Sequence, residues 1–244
     1  MDTPRLSLVI PAYNEERRLP ATLDTLLSSD DVRLLSAEVL VVDDGSADDT
    51  AQVIRSFAKR DGRVVPVILP AHRGKGGAVK EGVRRSRGAV VAFTDADLAY
   101  GIEALAQVVR GVEEGADVSV GARNLAPGGY RYSLVRRITN TAFSTLVSML
   151  APVGVLDPQC GLKAFKGDLA REVFARVNID GYCFDVEVLW RCRRAGAVLK
   201  QVPVSMVRDD SSSSKVHVLR DGIVMAKDLL LLRLRTLFED RRGV

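Results

Sequence analysis

The sequence predicts an α/β fold, with a mostly parallel central sheet and helices on both faces. Two observations carry that prediction. Short runs that are apolar at nearly every position recur through the first half of the chain, and segments with helical spacing separate them. Strands buried on both sides belong to a sheet covered on both faces, as in parallel strands joined by helices. A third observation concerns function. Polar clusters follow the first, second, fourth and fifth runs, and in such sheets ligands lie beyond the carboxyl ends of the strands.

The elements follow in order. Leu6 to Ile10 reads as a strand, and Glu15 to Ser28 as a helix with Leu19, Leu23, Leu26 and Leu27 on one face. Ala37 to Val42 is a second strand, closed by Asp43-Asp44-Gly45-Ser46, and Thr50 to Lys59 a helix. Val64 to Leu69 is a strand, Gly76 to Arg85 a helix, and Gly88 to Thr94 a strand ending at Asp95-Ala96-Asp97. Ile102 to Glu114 is helical and Asp117 to Gly121 a strand. The second half is less regular. A Gly/Pro/Tyr loop at 124–135 precedes an apolar helix at 136–151, and Asp157 to Phe165 is a compact polar-to-apolar segment. Asp168 to Ala175 and Phe184 to Ala195 look helical, Val198 to Val207 reads as a strand, and 211–214 is a polar serine tract. A long amphipathic helix spans 216–238. No internal repeat is visible, so the expectation is one domain: a nucleotide-binding half at 1–123, an acceptor and sugar half at 124–215, and a C-terminal amphipathic segment at 216–244.

Composition narrows the function. The 244 residues carry a formal net charge of +4 and only 5% aromatics, with no basic run interleaved with stacking residues. That suits anionic partners such as phosphates or acidic lipid surfaces and argues against nucleic acid. The three cysteines lack metal-ligand spacing and read as free thiols in a reducing compartment. A strand begins almost at once, leaving no room for a signal peptide, and no stretch reaches the ~20 apolar residues a spanning helix needs. The expectation is a cytoplasmic protein, peripheral on the membrane face.

The chemistry gathers at the predicted strand ends. Asp95 and Asp97, one residue apart on a turn, can both reach one hard cation that bridges a diphosphate. Asp44 can accept from a uracil N3–H or a ribose hydroxyl, while Gly45, Ser46 and Asp48 suit a turn and helix cap. Tyr13, in Pro11-Ala12-Tyr13-Asn14-Glu15, can stack on a base or simply pack. Arg73-Gly74-Lys75-Gly76-Gly77 opens a helix and offers a phosphate cradle through its amides and Lys75. The loop lacks the spacing of a P-loop ATPase, and no GxGxxG follows strand one.

IPAYNE, VVDDGSADDT, HRGKGGAV, FTDADL and GAR, in this order, resemble the family 2 glycosyltransferases of GT-A fold. DPQCGLKAF, FDVEVLW and the SK before the Leu-rich helix resemble the dolichyl-phosphate β-glucosyltransferases and other polyprenyl-phosphate enzymes. The resemblance covers essentially the whole chain and implies roles by position. Pro11, Tyr13, Glu15 and Asp44 would hold the nucleoside, with Lys75, Asp95 and Ala96 completing the nucleotide site. Asp95 and Asp97 would hold Mg²⁺ or Mn²⁺. Relatives that transfer mannose carry a Gln ligand two residues on, where this chain has Ala99. Arg123 and Arg136 would contact the acceptor phosphate, and Lys215 would lie in a loop near the lipid. Family membership also implies inversion of the anomeric centre.

A phosphate dianion needs charge neutralisation more than a general base. Arg123, Arg136 and Lys215 are expected on the acceptor side, and Lys75 with the metal on the leaving-group side. Asp157, Asp185 and Glu187 are candidate sugar ligands; Asp157 is the candidate base if one exists, with a helix cap or a partner to Arg136 as the alternative. The helix at 216–238 is either an interfacial helix or a core-packing one with a charged face. The leading expectation is transfer of glucose from UDP-glucose to a polyprenyl or dolichyl phosphate. GDP-mannose-dependent transfer to the same acceptor, transfer to a soluble sugar and a non-catalytic nucleotide-sugar module are the alternatives.

Overall fold

The computed structural model describes residues 3–30, 37–126, 147, 149–207 and 224–235. Seven strands form one sheet: β1 (Leu6–Ala12), β2 (Glu38–Asp43), β3 (Val64–Ile68), β4 (Val90–Phe93), β5 (Val118–Ala122), β6 (Lys163–Lys166) and β7 (Leu199–Pro203), in the order β3-β2-β1-β4-β6-β5-β7. β1, β2, β3 and β4 pair in parallel, as do β5 and β7, whereas β6 runs antiparallel between β4 and β5. The sheet is therefore mixed and mostly parallel. β1 is the switch point: the chain moves outward through β2 to β3, then returns to place β4 on the other side.

Alternation explains why the strands are apolar throughout. Leu6, Leu8, Ile10 and Ala12 of β1 face one core and Val9 faces the other; Val39 and Val41 of β2 oppose Leu40 and Val42 in the same way. The first core is closed by α1 (Leu19–Ser28), α2 (Thr50–Arg60) and α4 (Gly101–Glu113), through Leu23, Ile54, Phe57 and Val108 among others. α3 (Lys75–Arg85), α5 (Gly167–Ala175) and α6 (Phe184–Arg194) close the second with Val79, Phe174 and Phe184. The helix at 224–235 adds Met225, Leu229 and Leu232 to that second core. Each such side chain, fully buried, contributes roughly 1.5–3 kcal/mol of transfer free energy.

Most boundaries differ from the expected ones by a residue or two. Two differences matter. α1 starts at Leu19 rather than Glu15, because 15–18 form a turn and Pro20 sits in the first helical turn, where its missing N–H costs nothing. β6 begins within the segment read only as polar-to-apolar, Asp157 to Phe165, and ends one residue past it. The helix expected at 136–151 lies outside the described residues except near its end, where 147, 149 and 150 are helical. The serine tract 211–214 is also outside them, as are the first and last parts of the helix expected at 216–238.

Candidate active site

At the carboxyl ends of β1 and β2, two loops are bound to each other. The Asn14 backbone N–H donates to Ser46 Oγ at 2.9 Å, and its side-chain oxygen accepts the Ala47 N–H at 2.9 Å. The Glu15 N–H donates to Thr50 Oγ1 at 2.8 Å, and the Glu15 carboxylate pairs with Arg18 at 3.1 Å. Pro11 and Tyr13 are half-buried beside this junction. Gly45 has φ +69°, and a Cβ there would meet the Ala71 carbonyl carbon at 2.5 Å, so glycine is required where the two backbones cross.

Asp44 is 2% exposed and does not present an open carboxylate. Its oxygens accept the N–H groups of Arg73 (2.8 Å) and Gly74 (2.9 Å) and the Nδ1 of His72 (2.8 Å). Burial pushes its carboxyl above the ordinary value, against these donors. Four of the backbone amides expected to cradle phosphate are likewise committed. Those of Arg73 and Gly74 go to Asp44, and those of Gly76 and Gly77 to the Asp180 carbonyl oxygen at 2.8 and 3.3 Å. The loop instead delivers a side chain: Lys75 Nζ lies 2.5 Å from Asp95 Oδ1. Burial disfavours the ammonium, but Asp95 and then Asp185 outweigh that and hold Lys75 protonated.

The turn after β4 is held from both sides. Thr22 Oγ1 of α1 donates to the carbonyl of Ala96 at 2.7 Å, and Asp97 Oδ1 accepts the Ala99 N–H at 3.1 Å. Asp95 and Asp97 stay half-exposed, while Ala96 and Ala99 are buried. Burial, with the neighbouring Asp95, pushes the Asp97 carboxyl up. A Cβ on Gly161 would come within 2.0 Å of Asp95 Oδ2, so the glycine of DPQCG makes room for that carboxylate. Divalent magnesium or manganese fits this arrangement. Asp95 and Asp97 offer the hard carboxylate oxygens such ions take, and Asp95 already balances the Lys75 ammonium. Such a site leaves the remaining positions to phosphate and water, as Mg²⁺ sites commonly do.

Beyond this turn the predicted ligands are paired with the chain itself. Arg123 grips Asp157 in a fork, Nε to Oδ2 at 2.7 Å and Nη2 to Oδ1 at 2.8 Å, and its backbone N–H adds a third bond. Burial works to raise the Asp157 carboxyl, yet Arg123 brings it below the ordinary value. Asp157 is therefore an anion held by Arg123, a poor general base; Arg136, its partner in the alternative reading, lies outside the described residues. Asp185, 3% exposed, pairs at 2.6 Å with Lys163, whose ammonium is fully buried and also donates to the Cys160 carbonyl. Burial pushes the Asp185 carboxyl up, against Lys163 and Lys75. Glu187 is a correction. It is 1% exposed, one oxygen accepts the N–H groups of Asn178 and Ile179, and the other binds Arg191 at 2.8 Å. It braces the segment before α6 rather than facing a sugar. Arg136 and Lys215 lie outside the described residues.

Sequence reasoning passed over Lys163, His72, Thr22 and Gly161. Lys163 opens the short strand KAFK, and a lysine buried there implies a buried partner. Gly161 and Thr22 had no local signal. His72 opens the HRGKGGAV motif, whose signal lies in its glycines and Lys75.

Comparison with known proteins agrees with this geometry. The family described as glycosyl transferase family 2 matches residues 7–174. The dolichyl-phosphate β-glucosyltransferase of Dictyostelium discoideum is 32% identical, over 97% of this chain and 76% of the relative. The human enzyme of the same name is 31% identical over 96% and 76%, and that of Saccharomyces cerevisiae 31% over 94% and 74%. Among solved structures, mannosyl-3-phosphoglycerate synthase from Rubrobacter xylanophilus superposes with a TM-score of 0.69 at 21% identity, over 97% of this chain and 75% of that one. Glucosyl-3-phosphoglycerate synthase from Mycobacterium tuberculosis, in complex with Mn²⁺, UDP-glucose and phosphoglyceric acid, gives 0.66 at 22% identity over 95% and 79%. With a GT-A-type sheet, a carboxylate pair at the tip of β4 and a family match over most of its length, the chain belongs to glycosyl transferase family 2.

Proposed function

We propose that the chain transfers glucose from UDP-glucose to a polyprenyl or dolichyl phosphate, giving a β-linked lipid phosphosugar. The observation that carries the reading is the tip of β4, where Asp95 and Asp97 stand half-exposed with Lys75 Nζ 2.5 Å from Asp95. A divalent ion, Mg²⁺ or Mn²⁺, held by Asp95 and Asp97 would neutralise charge on the departing diphosphate. Lys75, which balances Asp95, would offer its ammonium to the diphosphate of a bound donor.

An acceptor phosphate oxygen attacks the anomeric carbon on the face opposite the UDP. The new C–O bond forms as the bond to the diphosphate breaks, and UDP leaves with that electron pair. A phosphomonoester with its second pKa near ~6 is mostly dianionic at neutral pH, so no base is needed to remove a proton. That agrees with Asp157 being held as an anion by Arg123 rather than free to titrate near neutrality. Because Asp157 balances Arg123, the acceptor charge falls chiefly to Arg136 and Lys215. The names of the similar enzymes favour glucose and dolichyl phosphate.

Peripheral membrane contact, on the cytoplasmic face, completes the reading. Among the described residues no helix is long and apolar enough to cross a membrane. The helix at 224–235 exposes Leu230, Leu231 and Leu234 beside Arg233 and Arg235, a combination that suits an anionic lipid surface.

The test is direct. Radiolabelled UDP-glucose, Mn²⁺ and polyprenyl phosphate in detergent should yield label in an acid-labile lipid, and GDP-mannose should yield far less. Label appearing only on a soluble phosphorylated acceptor would overturn the lipid assignment. Preference for GDP-mannose would overturn the donor.

A further inference from the structure

A lysine is seldom buried completely, yet none of the Lys163 surface reaches solvent. It begins β6, where it stands opposite Phe93, the last residue of β4. Its ammonium lies 5.3 Å from the centre of the Phe93 ring, 2.5 Å from the Cys160 carbonyl oxygen and 2.6 Å from Asp185 Oδ1. One side chain therefore joins three segments: the end of β4, the turn before β6 and the first turn of α6.

The same three segments surround Asp95. Phe93 precedes it by two residues at the end of β4. The turn runs from Cys160 into Gly161, which leaves the space that Asp95 Oδ2 occupies. Asp185, from α6, is near enough to Asp95 and Lys75 to feel both charges. A shift of any one segment would move the seat of Asp95, and Lys163 is in contact with all three. Apolar side chains could fill this space with less desolvation cost, but they would give no direction. An ammonium held by two acceptors stops the 160–161 turn and α6 from sliding past each other. Thr22 holds the turn after β4 from the other side, through the Ala96 carbonyl.

We infer that Lys163 is a positioning residue for the metal site: from inside the core it fixes the Gly161 turn and α6 against Asp95, and so sets where that carboxylate meets a divalent ion. Lys163 touches neither the nucleotide nor the ion. The inference rests on the reading of Asp95 and Asp97 as the ligands of that ion.

Calorimetric binding of UDP with Mn²⁺ tests it. UDP carries no sugar, so a contact between Asp185 and a donor hexose leaves this readout unmoved. Lys163→Met/Asp185→Leu removes one charge of each sign and strands neither in the core. Its UDP affinity should fall about 10–100-fold, the scale of losing a group that orients a metal ligand. Lys163→Arg keeps a cation with donors for both partners and should bind UDP within about threefold of wild type. Wild-type affinity in a folded double variant would overturn the inference, and so would an equal loss in Lys163→Arg. Should the double variant not fold, Asp185→Asn takes its place, since it keeps the shape but removes the charge that holds the ammonium. Its affinity should fall at least about threefold, and no fall would equally overturn the inference. Wild-type protein that binds UDP no better with Mn²⁺ than without it would instead remove the metal site, and this inference with it.

Discussion

The polar residues at the ends of β1, β2 and β4 and those between Asp157 and Glu187 are similar in kind and opposite in use. At the first region, Asp95 and Lys75 keep 34% and 22% of their side chains exposed, and His72 keeps 52%. In the second, the side-chain exposures are 7% for Asp157, 0% for Lys163, 4% for Asp185 and 1% for Glu187, and each charge has a partner within the chain. The first set is a surface that can exchange its partners for a ligand. The second is a floor. Burying charges is costly unless they are paired, and such pairs seldom add net stability over apolar residues. Their retention fits a role in placing the site: Asp185 pairs with Lys163 and also feels the charges of Lys75 and Asp95, so the buried charges are coupled to the exposed ones.

Substitutions should separate the two regions by what they damage. Asp97→Ala should show the largest effect, a loss in turnover of roughly 10³-fold or more, comparable to removing a key electrostatic group, with unfolding midpoint preserved. Turnover near wild type would move the diphosphate site elsewhere. Lys163→Met should do the reverse, destabilising the fold by about 3–5 kcal/mol in chemical denaturation by stranding Asp185. The double variant Lys163→Met/Asp185→Leu should recover most of that stability, though not activity. If the single and double variants are equally stable, the pair is not a unit.

Glu187→Gln should cost about 1–3 kcal/mol, since the amide cannot match both the backbone donors and Arg191. Its KM for the donor should stay within error. A raised KM without loss of stability would return Glu187 to the sugar site. The smallest effect is on the outer face of α3, where Glu81 accepts from Arg84 and Arg85 at 2.7 Å. Arg84 first, then Arg85, lower its carboxyl to about 2 from an ordinary 4.5. The folded state therefore binds this proton less tightly than the unfolded chain. The stabilisation is fully present above pH 4.5 and is lost as pH falls towards 2. Glu81→Gln should flatten that acid limb in a stability–pH profile and leave neutral-pH activity unchanged.

The two regions also differ in how much of them could be read from residues alone. Asp95, Asp97 and Lys75 follow elements with strong local patterns, so their place at strand ends was legible. The pairs were not. Arg123 and Asp157 lie 34 positions apart and Lys163 and Asp185 22 apart, and no local pattern reports such a distance. β6 was hidden because it has four residues, two of them lysines, and becomes a strand only through its neighbours β4 and β5. Asp44 was read correctly as a strand-end carboxylate, but its saturation by loop amides depends on the crossing at Gly45. Glu187 lies in an apolar, helical FDVEVLW, and only the fold shows that its carboxylate turns back to cap the preceding segment.

The central claim is that Asp95 and Asp97 hold a divalent ion against a nucleoside diphosphate. Calorimetry of UDP binding with and without Mn²⁺, on wild-type protein and on Asp97→Ala, tests it most directly. Tight binding should require Mn²⁺ in the wild type, and the variant should bind UDP weakly whether or not the ion is present. Equal UDP affinity in all four titrations would contradict the account.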